Sequence, residues 1–237
     1  MHQHDHIALP DIIPVFPLSG ALLLPRGHLP LNIFETRYLE MLEFARDHEG
    51  VIGMVQPLDP IAGAHLSDNE MHRLYEVFPH HNPLYYTGCV GRLSKIQENS
   101  NGTYFIILEG IKRFNIIKEI DNDLPYRSMN VSYENFIQDG TAVFRSHELD
   151  RQKLVLTLEK FLSAQNISPR WESFEKAGDE ELINTFAMLC PFTNAEKQAL
   201  IEISTLQERL DLMIKIMEFS LKSTWDEHQD DEEVYLQ

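Results

Sequence analysis

The sequence predicts an α+β fold, in which a β-barrel or half-barrel precedes a bundle of helices. Up to about residue 140, short apolar runs of strand length alternate with turns, whereas after residue 143 the apolar residues recur at helical spacing. Many strands with few helices between them favour a closed or half-closed barrel. We therefore expect a β-rich domain over residues 1–140, a helical domain over 141–225 and an acidic, flexible tail over 226–237.

The first three predicted strands are the apolar runs IIPVF, LPLNIF and VIGMVQ, which begin at residues 12, 29 and 51. A helix is predicted between the second and the third, since four apolar residues there share one helical face. These residues are Tyr38, Met41, Leu42 and Ala45. Gly50 is well placed to end that helix. Residues 57–83, rich in Pro, His, Asn and Asp, indicate a long loop.

A hairpin is the clearest local signal in the β-rich region. LYYTGCVGRLSKIQE and TYFIILEG flank the turn residues Asn101 and Gly102, which both tolerate positive φ. IKRFNIIKEI and YRSMNVSYENF supply two further predicted strands, with a loop around residues 121–125 between them. The β-rich region therefore contains seven predicted strands.

The second half of the chain has helical stripes and helix-start signals. One stripe consists of Leu154, Leu158, Phe161 and Leu162, and another of Leu206, Leu210, Met213, Met217 and Leu221. The pairs Thr193–Glu196 and Thr205–Glu208 have the spacing of capping boxes. Two helix starts twelve residues apart predict a bend rather than one continuous helix.

The composition limits the partners that we expect. The formal net charge is −17, and the region through residue 142 has ten basic and eighteen acidic residues, so neither nucleic acid nor an anionic membrane is expected as a main partner. No apolar run reaches the ~18–20 residues of a membrane span, and the N-terminus lacks the pattern of a secretory signal. Two widely separated cysteines favour a reducing cytoplasm.

Motifs of catalysis and cofactor binding are not found in the sequence. There is no P-loop, no dinucleotide-binding glycine motif and no nucleophile elbow, although a dispersed Ser-Lys pair stays open. Cys89 and Cys190 are interpreted as small buried residues rather than nucleophiles. The histidines at positions 2, 4 and 6 and the His80-His81 pair are expected to hold no metal or only an adventitious one. We therefore predict no catalytic residues, no metal and no cofactor.

Three blocks of sequence resemble the N-terminal substrate-recognition domain of Lon proteases. They are PVFPLSGALLLPRGHLPLNIFETRYLEML, VIGMVQP and GCVGRLSKIQENSNGTYFIILEGIKRFNI. The most specific marks are LPLNIFETRY and two glycine motifs, one from Gly88 to Arg92 and one from Gly110 to Phe114. The block LINTFAMLCPFTNAEKQALIEISTLQERLDLM is similar to the helical part of free-standing bacterial proteins with this domain. The resemblance covers nearly the whole chain except its termini and residues 57–83.

The resemblance implies a PUA-like β pseudo-barrel with one inserted helix, followed by a helical bundle, and a role in recognising protein chains. In full-length Lon, ATP hydrolysis and the Ser-Lys dyad belong to later domains, and this chain is expected to end before them. The implied role is therefore non-catalytic, and the family resemblance assigns no binding residues one by one.

The apolar segment that contains two prolines, Pro25 and Pro30, is where we predict a peptide-binding surface. Because proline prevents this segment from forming a regular strand, some of its side chains are expected to stay exposed. The predicted peptide-binding residues are Leu22, Leu23, Leu24, Pro25, Phe34 and Tyr38. The alternative is that the three leucines fill the barrel and the prolines shape a crossing loop.

Three functions are open at this point. The first is weak recognition of unfolded or extended polypeptide in an apolar groove at the junction of barrel and bundle. The second is an adaptor that docks on one folded partner, such as a protease or chaperone. The third is RNA binding by the PUA-like barrel, for which Arg92, Lys95, Lys112 and Arg113 are the candidate residues, and the acidic balance argues against it. No pattern indicates an oligomeric state.

Overall fold

The computed structural model describes residues 9–58, 66–139, 149–174 and 176–234, with side chains described through residue 222 except at 173. Contacts between α-carbons divide the chain into two units. The first comprises Met1–Thr141 and Thr193–Ile201, and the second comprises Ala142–Phe192 and Glu202–Gln237. The described strands all belong to the first unit, and the predicted α+β class is confirmed. Residues 193–201, predicted as part of the helical domain, belong with the strands.

Six strands form one mixed sheet in the first unit. They are β1 (Ile12–Pro17), β2 (His28–Ile33), β3 (Val51–Val55), β4 (Thr87–Glu98), β5 (Tyr104–Ile120) and β6 (Arg127–Ser132). Their order is β2-β5-β4-β3-β1-β6, and β6 also pairs with β5. β1 and β3 are parallel, and the other pairs are antiparallel. The first half of β5 therefore pairs with β2 and its second half pairs with β6, as in a pseudo-barrel.

The long hairpin of β4 and β5 differs from its prediction in one respect. Gly102 has a φ of 78° and lies between the two strands, as the turn signal predicted. However, the segment predicted as two successive strands is one strand of 17 residues. A register shift between Val90 and Gly91 lets β5 continue past Gly110 without a break in pairing.

Among the described residues, two α-helices lie between strands of the first unit. Helix α1 (Thr36–Asp47) buries the four predicted apolar residues, and Gly50 follows it with a φ of 68°. Helix α2 (Asp68–Val77) lies in the region predicted as a long loop. It begins with a capping box between Ser67 and Glu70, so the sequence did contain a helix-start signal there.

Helix α5 (Asn194–Glu202) attaches to the sheet through side-chain hydrogen bonds. Lys197 Nζ donates to the carbonyl oxygen of Gly20 at 2.7 Å, and Arg113 Nη1 donates to that of Ile201 at 2.9 Å. Arg113 is itself buried and binds the carboxylate of Asp139 through Nε and Nη2. These bonds explain why a helix beyond residue 190 belongs to the β-rich unit.

The described part of the second unit contains three longer helices and a short turn. They are α3 (Arg151–Ala164), α4 (Asp179–Leu189) and α6 (Leu206–Val234), with a 3-10 turn at Trp171–Ser173. The α3 stripe is buried, and α3 and α4 both pack against α6. The capping boxes at Thr193 and Thr205 are confirmed, and α6 begins after a break from α5.

The acidic segment predicted as a flexible tail belongs largely to helix α6, which runs to Val234. The sequence from residue 222 to 234 contains neither proline nor glycine, so nothing in it interrupts the helix begun by the apolar stripe. Within the described part of the chain, none of the helices is both long enough and apolar enough to cross a membrane.

Candidate functional site

The three consecutive leucines predicted to contact peptide are core residues. Leu22, Leu23 and Leu24 are 3%, 1% and 0% exposed, and Pro25 is also buried. They therefore present no surface to a partner, and the alternative interpretation, that the leucines fill the barrel, agrees with their burial. The correction has a physical cause, because an apolar segment broken by proline can pack as densely as a strand when the facing surface has room for it.

Glycines of the family motif provide that room. A Cβ atom on Gly91 would lie 2.7 Å from Leu23 Cδ2, and one on Gly110 would overlap the carbonyl oxygen of Leu24. The segment is also held by backbone hydrogen bonds, since the N–H of Arg26 donates to Gly110 O at 2.7 Å. The glycines that mark the family are thus the surface against which the leucine segment packs.

The other predicted residues lie near the start of α1. Phe34 is 68% exposed and is the one fully exposed member of the predicted set. Tyr38 is 7% exposed, with its ring 4.2 Å from that of Phe16, but it also lines a cleft. Of the six predicted residues, Tyr38 is therefore the one that lines this cleft of the first unit.

This cleft has a volume of about 350 Å³ and is built from segments that are distant in sequence. Its walls come from the end of β1, the start of α1, the loop before β4 and the connection from β5 to β6. The lining combines apolar, aromatic and charged side chains. They are Pro17, Arg37, Tyr38, Pro57, His80, His81, Asn82, Leu84, Glu119, Ile120, Asp121, Asn122, Leu124, Pro125, Tyr126 and Arg127.

A buried ion pair stabilises one side of the cleft. Glu119 is 3% exposed, and its two carboxylate oxygens accept hydrogen bonds from Arg127 Nε at 2.6 Å and Nη2 at 2.9 Å. His81 Nδ1 lies 2.9 Å from the same Glu119 oxygen that Nε contacts. Arg127 Nη1 also donates to the carbonyl oxygen of Asn82, which ties the loop before β4 to β6. The pair therefore fixes the position of the loop that carries both histidines.

The two tyrosines of the cleft are largely buried. Burial raises the pKa of Tyr38, although nearby Arg37 opposes this effect. Burial also raises the pKa of Tyr126, and the neighbouring carboxylate of Glu40 acts in the same direction. Both phenols are therefore neutral hydrogen-bond donors at physiological pH.

Another part of the lining is apolar and partly open to solvent. Leu124 is 45% exposed, and Pro125 beside it is exposed as well. The ring of Tyr126 lies 6.0 Å from that of Phe44 in α1. The connection between β5 and β6 thus presents apolar side chains next to the polar groups of the cleft.

The candidate RNA-binding residues do not form one accessible set. Arg113 is buried, paired with Asp139 and stacked 4.5 Å from the ring of Phe136. It cannot contact a phosphate without breaking that pair, so the basic stripe suggested by the sequence lacks one of its four members.

Cys89 and Cys190 are both buried and neither forms a disulfide, in agreement with their interpretation as small buried residues. Among the residues that the structure describes, no group of three or more His, Cys, Asp or Glu side chains is arranged to hold a metal ion. The histidines at positions 2, 4 and 6 lie outside the described residues.

Sequence reasoning missed most of the cleft. His80 and His81 were interpreted as part of a polar loop, and residues 121–125 simply as a connection between strands. The local sequence holds no signal that these two segments meet, because their contact depends on how β6 pairs with both β1 and β5. One signal of the cleft was detectable in the sequence. Glu119 lies near the end of one predicted strand and Arg127 lies near the start of the next, and these opposite charges pair across the connection.

Comparison with known families and structures gives a consistent result. Residues 12–218 match the family model described as the ATP-dependent protease La (Lon) substrate-binding domain. Lon protease 2 of Myxococcus xanthus is 23% identical over 218 residues, and Lon protease of Escherichia coli K12 is 25% identical over 209. These alignments cover 88% and 87% of this chain but 24% of each relative, so the chain spans about a quarter of their length.

Two solved structures share the fold. A crystal structure of a Lon N-terminal domain protein from Xanthomonas campestris has a TM-score of 0.58 at 18% identity, covering 86% of this chain and 97% of that one. The N-terminal domain of Lon protease from the Mycobacterium avium complex has a TM-score of 0.55 at 16% identity, covering 87% and 98%. On the extent of the family match, the chain belongs to the Lon substrate-binding domain family.

Proposed function

We propose that this chain recognises polypeptide segments without transforming them, and that the cleft beside α1 is the binding site. The observation that carries the proposal is the composition of the cleft, in which exposed apolar side chains adjoin charged and hydrogen-bonding groups. Its volume of about 350 Å³ lies within the range of ligand-binding pockets and suits one or two side chains of an extended segment. Membership of a substrate-binding family supports the same role.

Phe34 is proposed as an additional contact outside the cleft. It precedes Arg37, which lines the cleft, by three residues, and its ring is 68% exposed. An extended segment that occupies the cleft has a second apolar contact available there. An apolar groove at the junction of barrel and bundle, and docking on one folded partner, stay predictions from sequence.

The expected affinity is low. Burial of ~400 Å² of apolar surface contributes ~10 kcal/mol before the costs of association. Those costs are ~4–15 kcal/mol, so a single site is expected to bind in the micromolar range or more weakly. Several copies acting on one polypeptide would raise the apparent affinity without any new contact.

The test is a titration of a permanently unfolded, carboxymethylated model protein, labelled with a fluorophore, against the full chain. We expect Leu124→Asp to weaken binding at least fivefold, because it places a charge on the apolar wall of the cleft. Ile137→Asp is the matched control, since Ile137 is an exposed apolar residue of the same unit outside the cleft. Equal affinity of the parent and the Leu124 variant would contradict the proposal.

The two buried thiols support a reducing compartment as the place of action. Neither is paired in a disulfide, and a buried free cysteine persists most readily where thiols are kept reduced. We therefore also propose a cytoplasmic role. Alkylation of intact cells followed by mass spectrometry would test it, with both thiols expected in the reduced form.

A further inference from the structure

Two tyrosines that line the cleft have hydroxyl groups without a hydrogen-bond partner among the described residues. Tyr38 and Tyr126 are 7% and 5% exposed, and a tyrosine buried to this degree normally donates a hydrogen bond. Tyr133 does so in the same unit, through its hydroxyl to Pro10 O at 2.9 Å. Within the described residues neither cleft hydroxyl is bonded, and neither oxygen is sealed from solvent. Two neutral donors are thus available to a ligand in the cleft.

A cation with spare donors lies beside them. Arg37 Nε and Nη2 both donate to one oxygen of Glu35, at 3.0 and 2.7 Å, in a pair whose side chains are about half exposed. An exposed pair of this kind contributes little, so a competing anion can displace or share it. Arg37 Nη1 has no partner among the described residues.

The charge of the cleft differs from that of the protein. The chain carries −17, whereas the cleft lining contains two arginines, two acidic residues and two histidines. One arginine and one acidic residue, Arg127 and Glu119, already neutralise each other. His80 lies 3.8 Å from Asp121, the remaining acidic residue of the lining. The cleft lining is therefore near neutral in an acidic protein, and an anionic group is repelled less there than elsewhere.

We propose that the cleft selects a carboxylate adjacent to a bulky apolar side chain, with the carboxylate bound by Tyr38, Tyr126 and Arg37. The apolar side chain packs against Leu124 and Pro125, which are exposed on the same lining. The carboxylate comes either from an Asp or Glu side chain or from the end of a polypeptide. This inference rests on the proposed function and names the substrate class of that site.

The experiment uses three fluorescent peptides that differ only in charge, with the parent sequence containing one Phe-Asn pair and an amidated end. One replaces Asn by Asp, and another ends in a free carboxylate after the Phe-Asn pair. We expect one or both acidic peptides to bind the full chain about tenfold more tightly than the neutral one, since hydrogen bonds to a charged group are strong. The peptide that gains affinity identifies the source of the carboxylate.

The double variant Tyr38→Phe with Tyr126→Phe removes only the two hydroxyls. We expect it to lose the preference, so that the acidic and the neutral peptides bind with similar affinity. Tyr75→Phe is the matched control, since Tyr75 is an exposed tyrosine in α2 outside the cleft. Circular dichroism melting checks that each variant is folded.

The outcomes separate the two proposals. Equal binding of all three peptides by the parent protein, or a preference that persists in the double variant, overturns the carboxylate site and leaves polypeptide recognition standing. Failure of every peptide to bind overturns both.

Discussion

The leucine segment of residues 22–24 and the cleft beside α1 are both apolar regions of the first unit, yet only one of them offers space to a ligand. At the leucine segment, glycines face the chain, the backbones approach closely and the side chains are sealed. At the cleft, a space of about 350 Å³ lies between the lining residues, and within the described part of the chain the hydroxyl groups of Tyr38 and Tyr126 have no hydrogen-bond partner. Hydrophobicity therefore does not distinguish an open cleft from a core here, whereas free space and unsatisfied polar groups do.

The largest loss of stability is expected from adding a side chain at a glycine that contacts the leucine segment. Gly110→Ala places a methyl group against the Leu24 carbonyl, which is backbone and cannot rotate away. We expect a loss of about 4 kcal/mol in the free energy of unfolding, measured by urea denaturation. Gly178→Ala, where a Cβ meets nothing within 4 Å, is the control and should cost less than about 1 kcal/mol. Similar losses for both variants would contradict the close packing.

Truncation of a leucine in the sealed segment is expected to cost somewhat less. Leu23→Ala leaves a cavity in a site that is 1% exposed, for which we expect a loss of about 3 kcal/mol. Leu124→Ala, in the cleft wall, should change stability by less than about 0.5 kcal/mol and weaken polypeptide binding instead. The proposed difference between the leucine segment and the cleft would be wrong if the two variants showed the same change in the free energy of unfolding.

The ion pair of Glu119 and Arg127 is expected to stabilise the fold as well as to fix the loop before β4. Glu119→Gln removes the charge that balances Arg127, and we expect a loss of about 2–3 kcal/mol because both groups are largely buried. Glu35→Gln, which breaks the exposed pair with Arg37, should cost less than about 1 kcal/mol. Thermal melts of the two variants at equal ionic strength measure the difference. A Glu119 variant as stable as the parent would show that the pair does not hold the loop.

High pH is expected to lower the stability of the protein through the tyrosines of the cleft. The leucine segment has no titratable side chain and therefore does not contribute to this effect. Burial raises the pKa of Tyr38 and Tyr126 in the folded chain above the unfolded value of about 10. The unfolded state therefore releases these protons first, and the stability is complete below about pH 10 and is lost as pH rises through the folded-state values. The double Tyr→Phe variant should lose stability less steeply above pH 10 than the parent. The free energy of unfolding of both proteins is measured by urea denaturation at pH 9.5 and at pH 11. An equal decrease between the two pH values in the parent and in the variant would contradict this prediction.

Much of the fold could be predicted from sequence because its signals are local. The hairpin at Gly102 and the capping boxes at Thr193 and Thr205 each depend on a few neighbouring residues. The fate of the leucine segment could not be predicted in this way. A run of leucines near prolines fits a core plug and an exposed patch equally well, and the choice depends on Gly91 and Gly110, which come close only after folding.

The cleft was less predictable for the same reason. Its walls join residues near 17, 37, 81 and 120–127, which strand pairing brings together. Tyr38 was predicted as a site residue from its apolar helical segment, but the feature that now marks it is an unpartnered hydroxyl. No periodicity or motif encodes whether a hydroxyl will find a partner.

The most direct test of polypeptide recognition at the cleft is an NMR titration of the isotope-labelled full chain with an unfolded polypeptide. We predict that amide shifts change at Arg37, at Tyr126 and across residues 121–124, and that the amides of Leu23 and Leu24 stay unchanged. Shift changes confined to the leucine segment, or none at millimolar polypeptide, would contradict the account.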